Sequence, residues 1–121
     1  MPRRARRESA TGFYHIVSRG LDRENIFGEK REKTRFLNLL KDNLNECNVE
    51  IYAYCVMSNH FHLLVKVEKE IMPIFMAKVL GRYAKYYNYK HNRIGYVFEN
   101  RYNTQCIEDE RYFGAACVIF I

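Results

Sequence analysis

The chain has 121 residues, with 20 Lys and Arg against 14 Asp and Glu and a formal charge of +6. That length fits one domain, and 48% hydrophobic with 15% aromatic residues can fill a core, which excludes general disorder. No run approaches the ~18 apolar residues of a membrane span, the basic start Met1–Arg7 leads into no apolar signal-peptide stretch, and the surplus of cations favours a polyanionic partner.

Residues 1–11 read as a basic leader carrying Arg3, Arg4, Arg6 and Arg7, either a solvated tail or a nucleic-acid-binding arm. Gly12–Ser18 reads as a strand in which Phe13, His15 and Val17 alternate with Tyr14, Ile16 and Ser18. Arg19–Gly28 is a polar loop. A helix is expected over Glu29–Glu46, with Phe36, Leu37, Leu39, Leu40 and Leu44 at helical spacing. Val49–Met57 and His60–Val67 are strands joined by a tight Ser58-Asn59 turn into a hairpin. A long helix follows over Met72–Lys90, then a turn over His91–Gly95 and a short strand over Tyr102–Ile107. Asp109 begins a last helix, which breaks off incomplete in the apolar run Ala115–Ile121 with no polar or glycine stop signal.

The order β-α-β-β-α-β predicts a single α+β domain over 1–121 with a ferredoxin-like (split βαβ) antiparallel sheet, helices packed on one face and a truncated C-terminal helix. The opposite sheet face is then available for ligands. Cys47, Cys55, Cys106 and Cys117 form no CxxC pair and read as reduced thiols of a cytoplasmic protein.

The sharpest local feature is His60-Phe61-His62. Side chains alternate along a strand, so the two imidazoles share one face while Phe61 points to the other. Two imidazoles on a rigid strand can grip one divalent cation and leave positions for substrate oxygens, where the cation would polarise a phosphate. Read without that cation, they are two partly exposed strand histidines. His15 and His91 are single histidines and read as structural. The second feature runs from Lys78 to Tyr102. Lys78, Arg82 and Lys85 form a helical stripe, continued by Lys90, Arg93 and Arg101 and interleaved with Tyr83, Tyr86, Tyr87, Tyr89, Tyr96 and Tyr102. Cations for phosphates and aromatic faces for bases suit single-stranded nucleic acid, although Phe75, Val79, Tyr83, Tyr86 and Tyr87 also fit the core side of the helix. No glycine-rich phosphate loop or Gly-x-Ser-x-Gly elbow is present, which leaves tyrosine as the abundant candidate nucleophile.

With these residues in place the sequence resembles the single-tyrosine HUH transposases, the small insertion-sequence enzymes and their relatives associated with repetitive palindromes. The resemblance runs over nearly the whole chain, through "MPRRARRESATGFYHIVSRGLDRENIF", "VMSNHFHLLV", "LGRYAKYYNYKHNRIGYVFENRY" and "CIEDERYF". It implies a ferredoxin-like domain that forms a homodimer, binds single-stranded and hairpin DNA, and serves DNA transposition and recombination by a mobile element. It further implies cutting through a 5′-phosphotyrosine link with Mg²⁺ or Mn²⁺, with His60 and His62 matching the metal-binding histidines.

One segment departs from that pattern. The family nucleophile sits in the last helix, in a stretch that typically reads Arg-Tyr-Ile/Val-His-x-Asn-Pro, with a further metal ligand one turn on. Counting from "ERYF" through Cys117, the Arg-Tyr-Ile-His positions are Val118, Ile119, Phe120 and Ile121, so Ile119 stands where the tyrosine is expected. Tyr112 lies two turns earlier, about 10 Å away along a helix axis, too far for an ordinary substitution in the same role. The codons CGU-UAU-AUU-CAU-A, for Arg-Tyr-Ile-His, become GUU-AUA-UUC-AUA, for Val-Ile-Phe-Ile, when the first C is lost. A frameshifted gene is therefore expected, and an adjacent reading frame should contain the missing motif. The expected molecule is a cleavage-deficient remnant that still binds DNA. Its rivals are a metal-dependent nickase using Tyr112 and an RNA-binding module, the second disfavoured because its Arg/Lys-Gly-Phe/Tyr-Gly/Ala-Phe motif is absent.

Overall fold

The computed structural model describes residues 9, 11–99 and 101–107. Its elements are β1 (Phe13–Arg19), α1 (Lys30–Cys47), β2 (Glu50–Val56), β3 (His60–Lys66), α2 (Met72–Lys90) and β4 (Asn103–Ile107). Each lies within one residue of its expected bounds, and those of α2 coincide. Local chemistry explains the ends. Glu29 and Glu32 form a reciprocal capping box at the start of α1, Glu32 Oε1 accepting the Glu29 N–H at 3.0 Å. Asn48 closes that helix in the left-handed conformation at φ 53°. Pro73 occupies the first turn of α2, where its missing N–H removes no helical hydrogen bond.

The four strands form one sheet in the order β2-β3-β1-β4, every neighbouring pair antiparallel. Strand β3 is thus inserted between β1 and β2, the arrangement expected of a split βαβ fold. The even positions of β1, Tyr14 and Ile16, and Phe61, Leu63 and Val65 of β3 are buried against one layer made by both described helices. Phe36, Leu39 and Leu40 enter from α1, and Phe75, Met76, Val79 and Tyr83 from α2. Each fully buried aliphatic or Phe side chain here contributes about 1.5–3 kcal/mol by leaving water.

The segment expected to be a polar loop is more structured than its composition suggests. Leu21–Arg23 form one turn of 3-10 helix, with Asp22 and Arg23 at positive φ. Ile26 and Phe27 are fully buried, and the Phe27 ring lies 4.9 Å from both Phe36 and Tyr83 between centroids. The Tyr83 hydroxyl donates to the Ile26 carbonyl, which satisfies a phenol that burial pushes well above its ordinary pKa. Gly20 permits the fold of this segment, because a Cβ there would stand 2.4 Å from the Glu24 carbonyl oxygen. Two apolar residues among charges carry no periodicity, so sequence pattern could not flag this plug. The last helix expected over 109–121, with Tyr112 and Ile119, and the leader cations Arg3, Arg4, Arg6 and Arg7 lie outside the described residues.

Candidate functional site

Alternation along β3 sends His60 and His62 to the sheet face that neither described helix covers, with ring centroids 5.1 Å apart and planes at 79°. The tight turn before β3 supplies a partner for the first ring. His60 Nδ1 lies 2.7 Å from Asn59 Oδ1. An amide oxygen only accepts, so His60 carries its proton on Nδ1 and coordination falls to Nε2. The second ring is partnered from β1. His62 Nδ1 lies 3.0 Å from His15 Nε2, and the two rings stack with centroids 5.3 Å apart. His15 is therefore not the isolated structural histidine that its sequence position suggested. It shares the odd parity of Phe13 and Val17, and in the β1–β3 register Val17 faces His62, which places His15 one diagonal step away. Strand parity combined with the expected adjacency of β1 and β3 was the signal that could have found it.

Burial lowers the pKa of His62 below the ordinary histidine value, and the nearby His15, His60 and Arg19 charges push in the same direction. Burial also lowers that of His15, against a hydrogen bond with the Gln105 side chain that acts to raise it. Both rings are thereby held neutral near pH 7, the form that ligates metals. Among the described residues no cluster of three or more His, Cys, Asp or Glu gathers into a metal site. The donor set that His60 and His62 provide is two imidazoles, each with Nδ1 engaged, and it fits a divalent cation that takes its other ligands from oxygens outside this pair.

The cations expected to meet nucleic acid are placed elsewhere. On α2, Lys78 pairs with Glu46 and Arg82 Nη1 reaches Asn43 Oδ1 at 3.3 Å, both partners on α1. Lys90 Nζ pairs with Glu29 at 2.7 Å, and Arg93 with Glu24 at 3.2 Å while lying over the Tyr87 ring. Lys85 is exposed and Arg101 half-buried. The tyrosines divide: Tyr83 and Tyr87 are core residues, whereas Tyr89 and Tyr96 are exposed. His91 Nε2 lies 2.6 Å from the buried Glu32 carboxylate and reads as structural. Two cations that the sequence reading did not single out, Arg19 and Lys66, have the strand parity of the histidines, and Arg19 stands directly opposite His60 in the β1–β3 register. Arg19 also reaches Glu99 at 3.6 Å. Among the described residues Cys47 and Cys55 are free thiols, and no described helix is long and apolar enough to cross a membrane.

The chain can be set beside known proteins on this geometry. It is similar to a REP-associated tyrosine transposase solved bound to a REP hairpin, with a TM-score of 0.76 over 99% of this chain and 70% of that one at 11% identity. It is also similar to a candidate transposase from Deinococcus radiodurans R1, with a TM-score of 0.65 over 98% and 95% of the two chains at 16% identity. At these identities the likeness speaks for the fold. No curated protein matches the chain. A family model described as "Transposase IS200 like" matches residues 9–113, which covers all six strands and helices described above. The chain belongs to the IS200-like transposase family.

Proposed function

We propose that this protein binds single-stranded and hairpin DNA through the histidine-bearing face of its sheet and that it does not cut the strand it binds. The observation that carries the reading is the pair of imidazoles on that face, His60 and His62, each with Nδ1 tied down in a transposase-family domain. The hairpin held by the similar REP-associated transposase supports DNA as the partner class. A Mg²⁺ or Mn²⁺ ion held by His60 and His62 would supply Lewis acidity at a phosphate oxygen. The chain's own residues orient that phosphate. Arg19 stands beside His60, and Lys66 extends the same face toward the end of β3. Arg3, Arg4, Arg6, Arg7, Arg82, Lys85 and Arg101 supply further positive charge for the backbone, whereas Lys78, Lys90 and Arg93 already lie in ion pairs that DNA would have to open. A homodimer and a cytoplasmic location belong to the same reading.

The lack of cutting rests on Ile119. The residue stands where the related transposases carry their tyrosine, and an alkyl side chain has no oxygen to attack phosphorus. Tyr112, inside the family match, is the one substitute the sequence offers nearby. Incubating the full chain with a hairpin DNA bearing single-stranded flanks, with Mn²⁺, tests both halves of the reading. Retention of the hairpin against competing single-stranded RNA, without a covalent protein–DNA adduct, is the expected result. An adduct that disappears in Tyr112→Phe would establish a nickase instead, and displacement of the DNA by RNA would move the protein to RNA binding.

A further inference from the structure

Resting on the metal reading of His60 and His62, we propose that His15, backed by Gln105, is a positioning residue that fixes the His62 ring in the tautomer protonated on Nδ1, so that Nε2 is the ligating nitrogen. A neutral imidazole has one N–H and one lone pair, and only the lone pair can bind a cation. His62 Nδ1 and His15 Nε2 stand 3.0 Å apart, so one of these nitrogens donates and the other accepts. Were His15 the donor, His62 would carry its proton on Nε2 and could not ligate through it.

The ring nitrogen left open decides between the two arrangements: His15 engages Nδ1 of His62, so a cation meets Nε2, and a lone pair there puts the proton on Nδ1. Gln105 lies directly opposite His15 in the β1–β4 register, and its side chain hydrogen-bonds the His15 ring. For His15 Nε2 to accept from His62, the His15 proton must sit on its other nitrogen, where the Gln105 amide oxygen can accept it. With His15 Nε2 turned to His62, that N–H is on Nδ1, and Nε2 holds the lone pair. The donor in the His15–His62 bond is then His62 Nδ1–H. Asn59 does the same for His60, accepting its Nδ1–H through the amide oxygen at 2.7 Å. Each ligand histidine thus has its own acceptor, one from the turn preceding β3 and one relayed across β1 from β4. Acceptors of this kind, behind ligating histidines, typically change metal affinity about 10–100-fold when removed.

The experiment uses the full chain and the metal-free and Mn²⁺-loaded forms. His15→Phe keeps a ring on the stack but removes the acceptor, while His15→Gln restores an oxygen that can accept. Gln105→Leu removes the relay at an exposed position of β4. ¹⁵N-labelled histidine NMR of the metal-free protein reads the tautomer of His62, and calorimetric Mn²⁺ titration reads affinity, with His60→Ala as the control for the metal site. The expected results are an Nδ1–H tautomer at His62 in the native chain and a shift to Nε2–H in His15→Phe. Mn²⁺ affinity should fall about 10–100-fold in His15→Phe, recover in His15→Gln, and fall more modestly in Gln105→Leu. Native affinity in both His15→Phe and Gln105→Leu would overturn the inference and leave the metal reading intact, as would an Nε2–H tautomer at His62 in the native protein that still binds Mn²⁺. Mn²⁺ binding that is absent, or indifferent to His60→Ala, would remove the metal reading and the inference with it.

Discussion

The two faces of β3 differ in what their side chains must satisfy. Phe61, Leu63 and Val65 are fully buried and meet the two helices through apolar contact. His60 and His62, interleaved with them on the same backbone, are half-buried, and each commits one ring nitrogen to a neutral partner. The helix layer treats its histidine differently. His91 faces the Glu32 carboxylate at 2.6 Å, a contact that ties the end of α2 to the start of α1. A functional histidine is thus marked here less by exposure than by the company it keeps: amide and imidazole on the sheet face, carboxylate in the helix layer.

Five substitutions probe that contrast, in falling order of expected effect. Phe61→Ala removes a ring that lies 4.8 Å from Phe36 and 6.2 Å from Phe27 between centroids, and should cost about 3–5 kcal/mol in urea unfolding. A loss below ~1 kcal/mol would show that the covered face is not the main source of stability. Glu32→Ala breaks the capping box and leaves His91 without its carboxylate; about 1–3 kcal/mol should be lost by the same measurement. His62→Ala should change the metal-free stability by less than ~1 kcal/mol, yet abolish the ~2.7 kcal/mol that the native chain gains in Mn²⁺ at 100 times its Kd. Thermal melts with and without Mn²⁺ read both numbers, and a destabilised metal-free variant would turn the histidine face into a structural one. The smallest effect is expected from Lys78→Ala, whose cation is already paired with Glu46: the salt dependence of hairpin-DNA binding should stay as it is, whereas Arg19→Ala should reduce the slope by about one. The reverse outcome would move the DNA from the sheet to α2.

The sequence made the sheet face legible because its pattern is strictly local. Alternation in His60-Phe61-His62 sorts the two faces without knowledge of any neighbour, and the periodic run from Met72 to Lys90 declares its helix as plainly. What it hid depends on pairing across the chain. His15 belongs with His62 only once β1 and β3 are known to be antiparallel neighbours in a definite register. The Lys78 and Lys90 stripe looked committed to phosphate because Glu46 and Glu29 sit on another helix, far away in sequence. Ile26 and Phe27 gave no period at all, and only the packing of Phe36, Phe61 and Tyr83 around Phe27 reveals them as core.

The turn between β2 and β3 is gripped from outside the hairpin. The Ser58 carbonyl accepts the Phe27 N–H, and the Asn59 carbonyl accepts the Gly20 N–H, each at 2.8 Å. The side chain of the same Asn59 holds His60. The length of this connection is therefore not free to vary. An inserted residue would pull both carbonyls off the 20–27 segment and carry the Asn59 amide away from the imidazole it orients. Insertions and deletions should be tolerated at the exposed turn after α2 well before they are tolerated here, and the amide protons of Gly20 and Phe27 should be among the slowest of any loop residue to exchange with solvent.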